Sequence, residues 1–291
     1  MSLSVALQKL AAYRKSNTRK SQETFQNGLL VLEKNGVSSL GDDSWSFLEQ
    51  LTLASIDVGK LDVADRCLEQ LAEKFPASPR VDVLVGIRME ATEPFDTVMN
   101  YYAEVLDADS ANAAAWKRKV TVLRRANKID KAVTELSQFL DTFYADVEGW
   151  LELADIYTSC SQYTSALQAL THVLLLAPQN PFYTLQFAET AYTAGDLPLA
   201  LKMLLLVIDM CERDSSDLDR LTGVLTRAWW ATKLCTRHLM TSKSTNSASH
   251  TSVPKNLNLI DELATEQVLK LYSSGRGEGR DLVTRWLGQS T

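Results

Sequence analysis

Trp116 and Trp150 stand 34 residues apart, and a small or apolar residue returns at that same interval at Ala64, Val98, Ala132, Ala166 and Ala200. This recurrence constrains the fold more than any other feature of the chain. A unit of that length cannot bury a hydrophobic face by itself, so neighbouring units must stack and share a continuous core.

Other columns keep the register. Ser44, Ser78, Asn112, Asp146, Asn180 and Asp214 can each accept from the free amides that open a helix. Pro79 and Pro181, directly after two of them, suit a first helical turn. Fifteen residues on come Gly59, Glu93, Asn127, Ser161 and Gly195, mostly residues that tolerate a helix end. Two further on, Leu61, Phe95, Ile129, Tyr163 and Leu197 open a second helix. On that helix the small-residue column is followed four later by Leu68, Tyr102, Leu136, Leu170 and Leu204, on the same face.

The clearest copy runs from Asp146: Trp150, Leu153, Ala154, Tyr157, Ala166 and Pro178 fall where the tetratricopeptide pattern has its Trp, Leu, small residue, Tyr, Ala and Pro. The expected fold is therefore all-α, a tetratricopeptide-repeat solenoid forming a right-handed superhelix with helical caps at both ends. Five repeats are predicted, at 45–78, 79–112, 113–146, 147–180 and 181–214. Residues 1–43 read as an N-terminal cap of two helices, 3–15 and 21–35, closed by a turn at 38–41. Residues 215–291 read as a helical region in which Leu218, Leu221, Leu225, Trp229 and Trp230 bury apolar surface. A Ser/Thr-rich loop, 241–256, then precedes helices at about 257–273 and 281–288.

Composition narrows the function. A formal charge of -6 and a pI near 5.2 argue against nucleic acid, since no basic excess exists to neutralise phosphates. No apolar stretch approaches the ~20 residues of a membrane span, so the chain is expected to be soluble with no transmembrane span. Lys9, Arg14, Lys15, Arg19 and Lys20 precede the first acidic residue, Glu23, which gives residues 1–22 a leader-like charge pattern. Leu3, Leu7, Leu10 and Tyr13 at helical spacing fit a helix packed on its neighbour.

Cys67, Cys160, Cys211 and Cys235 form no metal-ligand spacing and read as reduced core thiols. His172, His238 and His250 share no ligand spacing, and His172 fits a packed position on a second helix. Residues 275–279, rich in glycine, follow no strand and read as a flexible turn. The expectation is a chain with no catalytic residue, metal or cofactor, and no enzyme activity.

In stacked repeats the first helices line an extended concave surface. The candidate partner-binding residues are Arg80, Val83, Ile87 and Glu90 in the second repeat, Lys117, Arg118, Thr121, Arg124 and Arg125 in the third, and Glu148, Leu151, Asp155 and Thr158 in the fourth. The basic cluster of the third repeat could grip an acidic or carboxylate-terminated peptide. Thr121 stands where chaperone-binding tetratricopeptide proteins carry Asn, so chaperone docking is not expected.

At finer grain the chain resembles the family of subunit 2 of the ER membrane protein complex. The resemblance covers about residues 20–200 and lies in LGDDSW at 40–45, CLEQLAEKFPASPRV at 67–81, GIRMEA at 86–91, NAAAWKRK at 112–119 and GWLELADIY at 149–157. It implies a non-catalytic scaffold, peripheral on the cytosolic face of the endoplasmic reticulum. Its partners would be other subunits of that complex, soluble ones and the cytosolic segments of integral ones. The assembly would support insertion of transmembrane segments, tail-anchored proteins included. The alternative is a soluble tetratricopeptide adaptor or co-chaperone that binds peptide tails.

Overall fold

The computed structural model describes residues 2–34, 36–213, 218–241, 248–272 and 277–288. Among them are fifteen α-helices and no strand. Ahead of the repeats lie α1 (Leu3–Lys15), α2 (Ser21–Glu33) and a 3-10 turn (Gly36–Leu40). Five helix pairs follow: α3 (Asp43–Val58) with α4 (Leu61–Lys74), α5 (Pro79–Met89) with α6 (Phe95–Ala108), α7 (Ala113–Arg125) with α8 (Ile129–Thr142), α9 (Val147–Ser159) with α10 (Tyr163–Leu176), and α11 (Pro181–Thr193) with α12 (Leu197–Arg213). The chain ends in α13 (Leu218–Thr241), α14 (Leu257–Leu271) and α15 (Gly277–Gly288).

Helix starts follow local chemistry. The side chains of Asn112, Asp146 and Asn180 accept from the amides of Ala115, Gly149 and Phe182, closing the first turns of α7, α9 and α11. Ser78 precedes α5 without such a bond, leaving Pro79 to set the first turn. Ser44 departs from the expected capping role: α3 begins one residue earlier, and Ser44 is buried inside its first turn. Asp214 lies outside the described residues.

The two helices of a pair reverse through a left-handed residue, with φ of +78° at Gly59, +55° at Asn127, +59° at Ser161 and +86° at Gly195. Glycine adopts that conformation without steric cost, whereas Ser161 bears it with a side chain. Glu93 does not share it, and the link between α5 and α6 is correspondingly different.

The small-residue column is the floor of the core. Ala64, Ala132, Ala166 and Ala200 are fully buried and Val98 nearly so, as are Tyr102, Leu136, Leu170 and Leu204 one turn on. Each large side chain so removed from water contributes roughly 1.5–3 kcal/mol. The indole N–H groups of Trp116 and Trp150 donate to the carbonyls of Ser110 and Tyr144, at 3.1 and 2.9 Å. Each of these tryptophans therefore ties the loop before its helix to the helix itself. His172 stacks on Trp150 at 4.1 Å between ring centroids.

The helices form two compact units, residues 1–139 and 140–291. In the first, Ala6 and Leu10 of α1 are buried and Leu3 and Leu7 pack beside them, while α3 lies against α5 and α5 against α7. Tyr13 departs from the expected apolar stripe, and its hydroxyl donates to Glu23 instead.

In the second unit, Val224, Ala228 and Trp229 of α13 join the core of α11 and α12. The side chains of Leu218 and Leu221 lie outside what the structure describes. Trp230 meets Tyr272 and Trp286 edge to face, and the Arg237 guanidinium stacks on Trp286 at 4.1 Å while donating to the carbonyls of Trp286 and Leu287. Residues 277–279, expected as part of a flexible turn, form the first turn of α15, and residues 275–276 lie outside the described residues. The packing of Val283 and Leu287 on the core accounts for a helix that glycine propensity alone would disfavour.

Three cysteines are buried, and burial pushes the Cys67 thiol up to about 11 and Cys235 up to about 12, so both stay protonated. Cys160, expected in the core, caps α9 in solvent.

Candidate functional site

In the first unit the turn between α1 and α2, together with α3, α5 and α7, surrounds a cleft of about 690 Å³. Its walls are organised by three ion pairs. Arg19 grips Asp57 through two hydrogen bonds of 2.9 and 2.6 Å, and Ser21 donates to the same carboxylate. Arg80 holds Glu49 at 2.8 and 2.7 Å. Hydrogen bonding from Arg19 lowers the pKa of Asp57 below its ordinary value and raises that of Arg19.

The third pair is the most deeply set. Glu90 closes α5 with its side chain only 2% exposed. Its carboxylate accepts from the Tyr102 hydroxyl at 2.8 Å, from Arg118 Nε at 2.9 Å and Nη2, and from Arg125 Nη1 at 3.3 Å. Burial and then the Glu90 charge push the Tyr102 phenol well above its usual range. Burial, the largest single effect, would lower the Arg118 guanidinium, but the Glu90 hydrogen bonds and charge together with Tyr102 outweigh it, and the net shift is upward.

This arrangement needs Gly86, since a Cβ there would stand 2.5 to 2.6 Å from the Tyr102 ring and hydroxyl. Such a buried carboxylate is stable only while its close donors, Tyr102 and Arg118, remain in place.

Of the residues expected to bind a partner, Arg80, Ile87, Glu90, Arg118 and Arg125 come together on this cleft. Val83 instead packs toward α6 with Val98 and Tyr102. Lys117 points its ammonium over the Phe139 ring at 6.0 Å, and Thr121 donates to the Lys117 carbonyl; neither lines the cleft, nor does the half-buried Arg124. The basic run is thus not one open patch, for Lys119 also pairs with Glu135 at 2.8 Å.

In the second unit Glu148, Asp155 and Thr158 are exposed on α9, with Leu151 half-buried. A smaller hollow of about 490 Å³ lies between α11 and α13, edged by Phe182, Val224 and the Glu189–Arg227 pair.

Sequence reasoning missed Arg14, Arg19, Lys20, Glu49 and Asp57 as cleft residues. The basic run from Lys9 to Lys20 was a visible signal, but only the packing of α1 and α2 onto α3 brings it to the first helices.

Paired helices in a 34-residue register, with a cleft on the first-helix layer, define a tetratricopeptide-repeat protein. A solved structure, the C-terminal part of a TPR repeat-containing protein from Cytophaga hutchinsonii, shares the fold with a TM-score of 0.60 at 14% identity, covering 89% of this chain and 96% of that one. Residues 64–205 match the EMC2 TPR-like repeat domain. It is 38% identical over 189 residues to ER membrane protein complex subunit 2-A of Xenopus laevis, a match spanning 65% of this chain and 63% of the relative. It is 28% identical over 257 residues to the TPR repeat protein oca3 of Schizosaccharomyces pombe, across 84% of this chain and 85% of that one.

Proposed function

We propose that the chain is a non-catalytic scaffold subunit of an ER membrane protein complex. It would lie on the cytosolic face of the membrane, hold cytosolic parts of integral subunits, and so support insertion of transmembrane segments, tail-anchored proteins among them. The observation that carries this reading is the 38% identity over 189 residues to a protein named as subunit 2 of such a complex. Two features of the chain support it. No described helix is long and apolar enough to cross a membrane, so attachment would run through partners. The predicted contact residues that converge on the first-unit cleft offer charged, side-chain-rich walls suited to a polypeptide.

In this reading Arg80, Ile87, Glu90, Arg118 and Arg125 serve one contact surface, and Lys117, Thr121 and Arg124 flank it on α7. Glu148, Leu151, Asp155 and Thr158 serve another on α9. Val83 is withdrawn from the contact set because it packs inward.

The test is purification of the tagged chain from its own cells in mild detergent, with mass spectrometry and membrane fractionation. Near-equal recovery of several integral ER membrane proteins is expected. Recovery of soluble chaperones alone, or of no partner, would replace this reading with that of a free peptide adaptor.

A further inference from the structure

We infer that the first-unit cleft seats an acidic segment of a partner polypeptide, whose carboxylates pair with Arg14 and Arg125. This deepens the scaffold reading above and rests on it for the kind of partner, a protein, while the chemistry comes from the cleft.

The first argument is charge. Among the described residues lining the cleft, six are Arg or Lys and three are Asp or Glu, in a chain whose formal charge is -6. Positive potential is therefore concentrated here against the sign of the whole molecule, the condition that steers an anionic partner to one place.

The second argument is which charges are already matched. Asp57 is saturated by Arg19 and Ser21, Glu49 by Arg80, and Glu90 by Arg118 and Tyr102. Arg14 is held differently: its Nη1 donates at 2.9 Å to the neutral amide oxygen of Gln50, whose own amide nitrogen is tied to the Leu10 carbonyl at 3.3 Å. That chain positions the guanidinium without neutralising it, so an incoming carboxylate breaks no ion pair.

Arg125 sits at 3.3 Å from a Glu90 oxygen already bound by Arg118, and its side chain is 63% exposed. It can turn to a new carboxylate at little cost. Lys20 is partly spoken for, lying 3.9 Å from Glu23. Guanidinium groups suit this role because they meet carboxylates with paired, charge-assisted hydrogen bonds.

The experiment uses the full chain and two fluorescein-labelled twelve-residue probes, one alternating Glu with Ala and the other Gln with Ala, read by fluorescence anisotropy. The Glu probe is expected to bind saturably and to weaken with added salt, while the Gln probe does not bind. The R14Q/R125Q variant should lose about tenfold or more in affinity for the Glu probe, the scale of two lost charge-assisted hydrogen bonds. Lys202→Gln, an exposed cation of the second unit, should leave it unchanged. Thermal melting confirms that the double variant is folded, and Arg125→Gln alone, at an exposed position, supplies a second variant with a smaller loss.

Equal binding of the two probes, or parental affinity in the folded double variant, overturns the inference. Co-purification of the parent with integral membrane proteins is scored separately. A chain that assembles with the membrane complex yet ignores the Glu probe sinks only the acidic-segment inference, and one that binds the probe without assembling sinks only the scaffold reading.

Discussion

The same repeat position is built in two ways in the two units. In the second unit, Ala154 and Leu170 occupy one register and Ala188 and Leu204 the same register a repeat later, all essentially buried and all apolar. In the first unit, the α5–α6 pair has Gly86 and Tyr102 at these places. The aromatic ring takes the volume that the missing methyl releases, and its hydroxyl then requires an acceptor, which Glu90 provides. Glu90 in turn requires Arg118 from the next repeat. A polar solution at one core position thus commits three other residues, whereas the Ala–Leu solution commits none, because dispersion contacts have no partner to lose.

The largest test of this difference removes a donor. Arg118→Ala should destabilise the protein by about 3 kcal/mol, since it strips a buried carboxylate of its main counter-charge. Arg227→Ala breaks the Glu189 pair in the second unit, where the arginine is 68% exposed, and should cost under about 1 kcal/mol. Urea denaturation of both variants makes the comparison, and equal losses would mean that Glu90 is not energetically buried.

The next test concerns volume. Gly86→Ala should cost about 1–3 kcal/mol through contact with the Tyr102 ring. Adding Tyr102→Leu recreates the Ala–Leu pair of the second unit, and the double variant should be more stable than the sum of the two single effects predicts. Strict additivity in thermal melts would show that the two residues do not share one space.

Acid should act on the first unit's cleft through Asp57. Its folded-state pKa lies below the ordinary value, so its ion pair stabilises above the unfolded pKa of about 3.8 and is lost as pH falls through the lower folded pKa. Asp57→Asn should therefore lose under about 1 kcal/mol at neutral pH, with the gap to the parent closing in acid. A gap that stays constant with pH in denaturation curves would contradict the Arg19–Asp57 linkage.

The smallest effect has the opposite sign. Ser161→Gly relieves a left-handed conformation that costs an L-residue roughly 1–2 kcal/mol, offset in part by the greater freedom of unfolded glycine. A net gain of about 0.5 kcal/mol is expected by thermal melting. Asn127→Gly should gain less, since Asn tolerates this conformation better than Ser.

The period, the helix pairs and the buried columns were legible because each rests on nearest-neighbour chemistry. Asn112, Asp146 and Asn180 cap helices wherever they precede one, and an alanine facing a leucine at fixed spacing describes the same face in any repeat. The cleft was half legible. Arg80, Ile87, Glu90, Arg118 and Arg125 follow from the first-helix register, but Val83 does not, because at its position the α5 face turns toward α6.

The pairing of charges was not legible at all. Glu90 and Arg118 are 28 residues apart, and Arg19 and Asp57 are 38 apart. Nothing local says that they meet.

The sequence by itself determined that this chain is a set of stacked helix pairs with a buried small-residue column, because helix periodicity and capping act over a few residues. Only the tertiary structure decided which cations are paired with carboxylates inside the protein and which are not. That choice depends on distances between side chains of different repeats, and electrostatic energy is settled by those distances and by burial rather than by order along the chain.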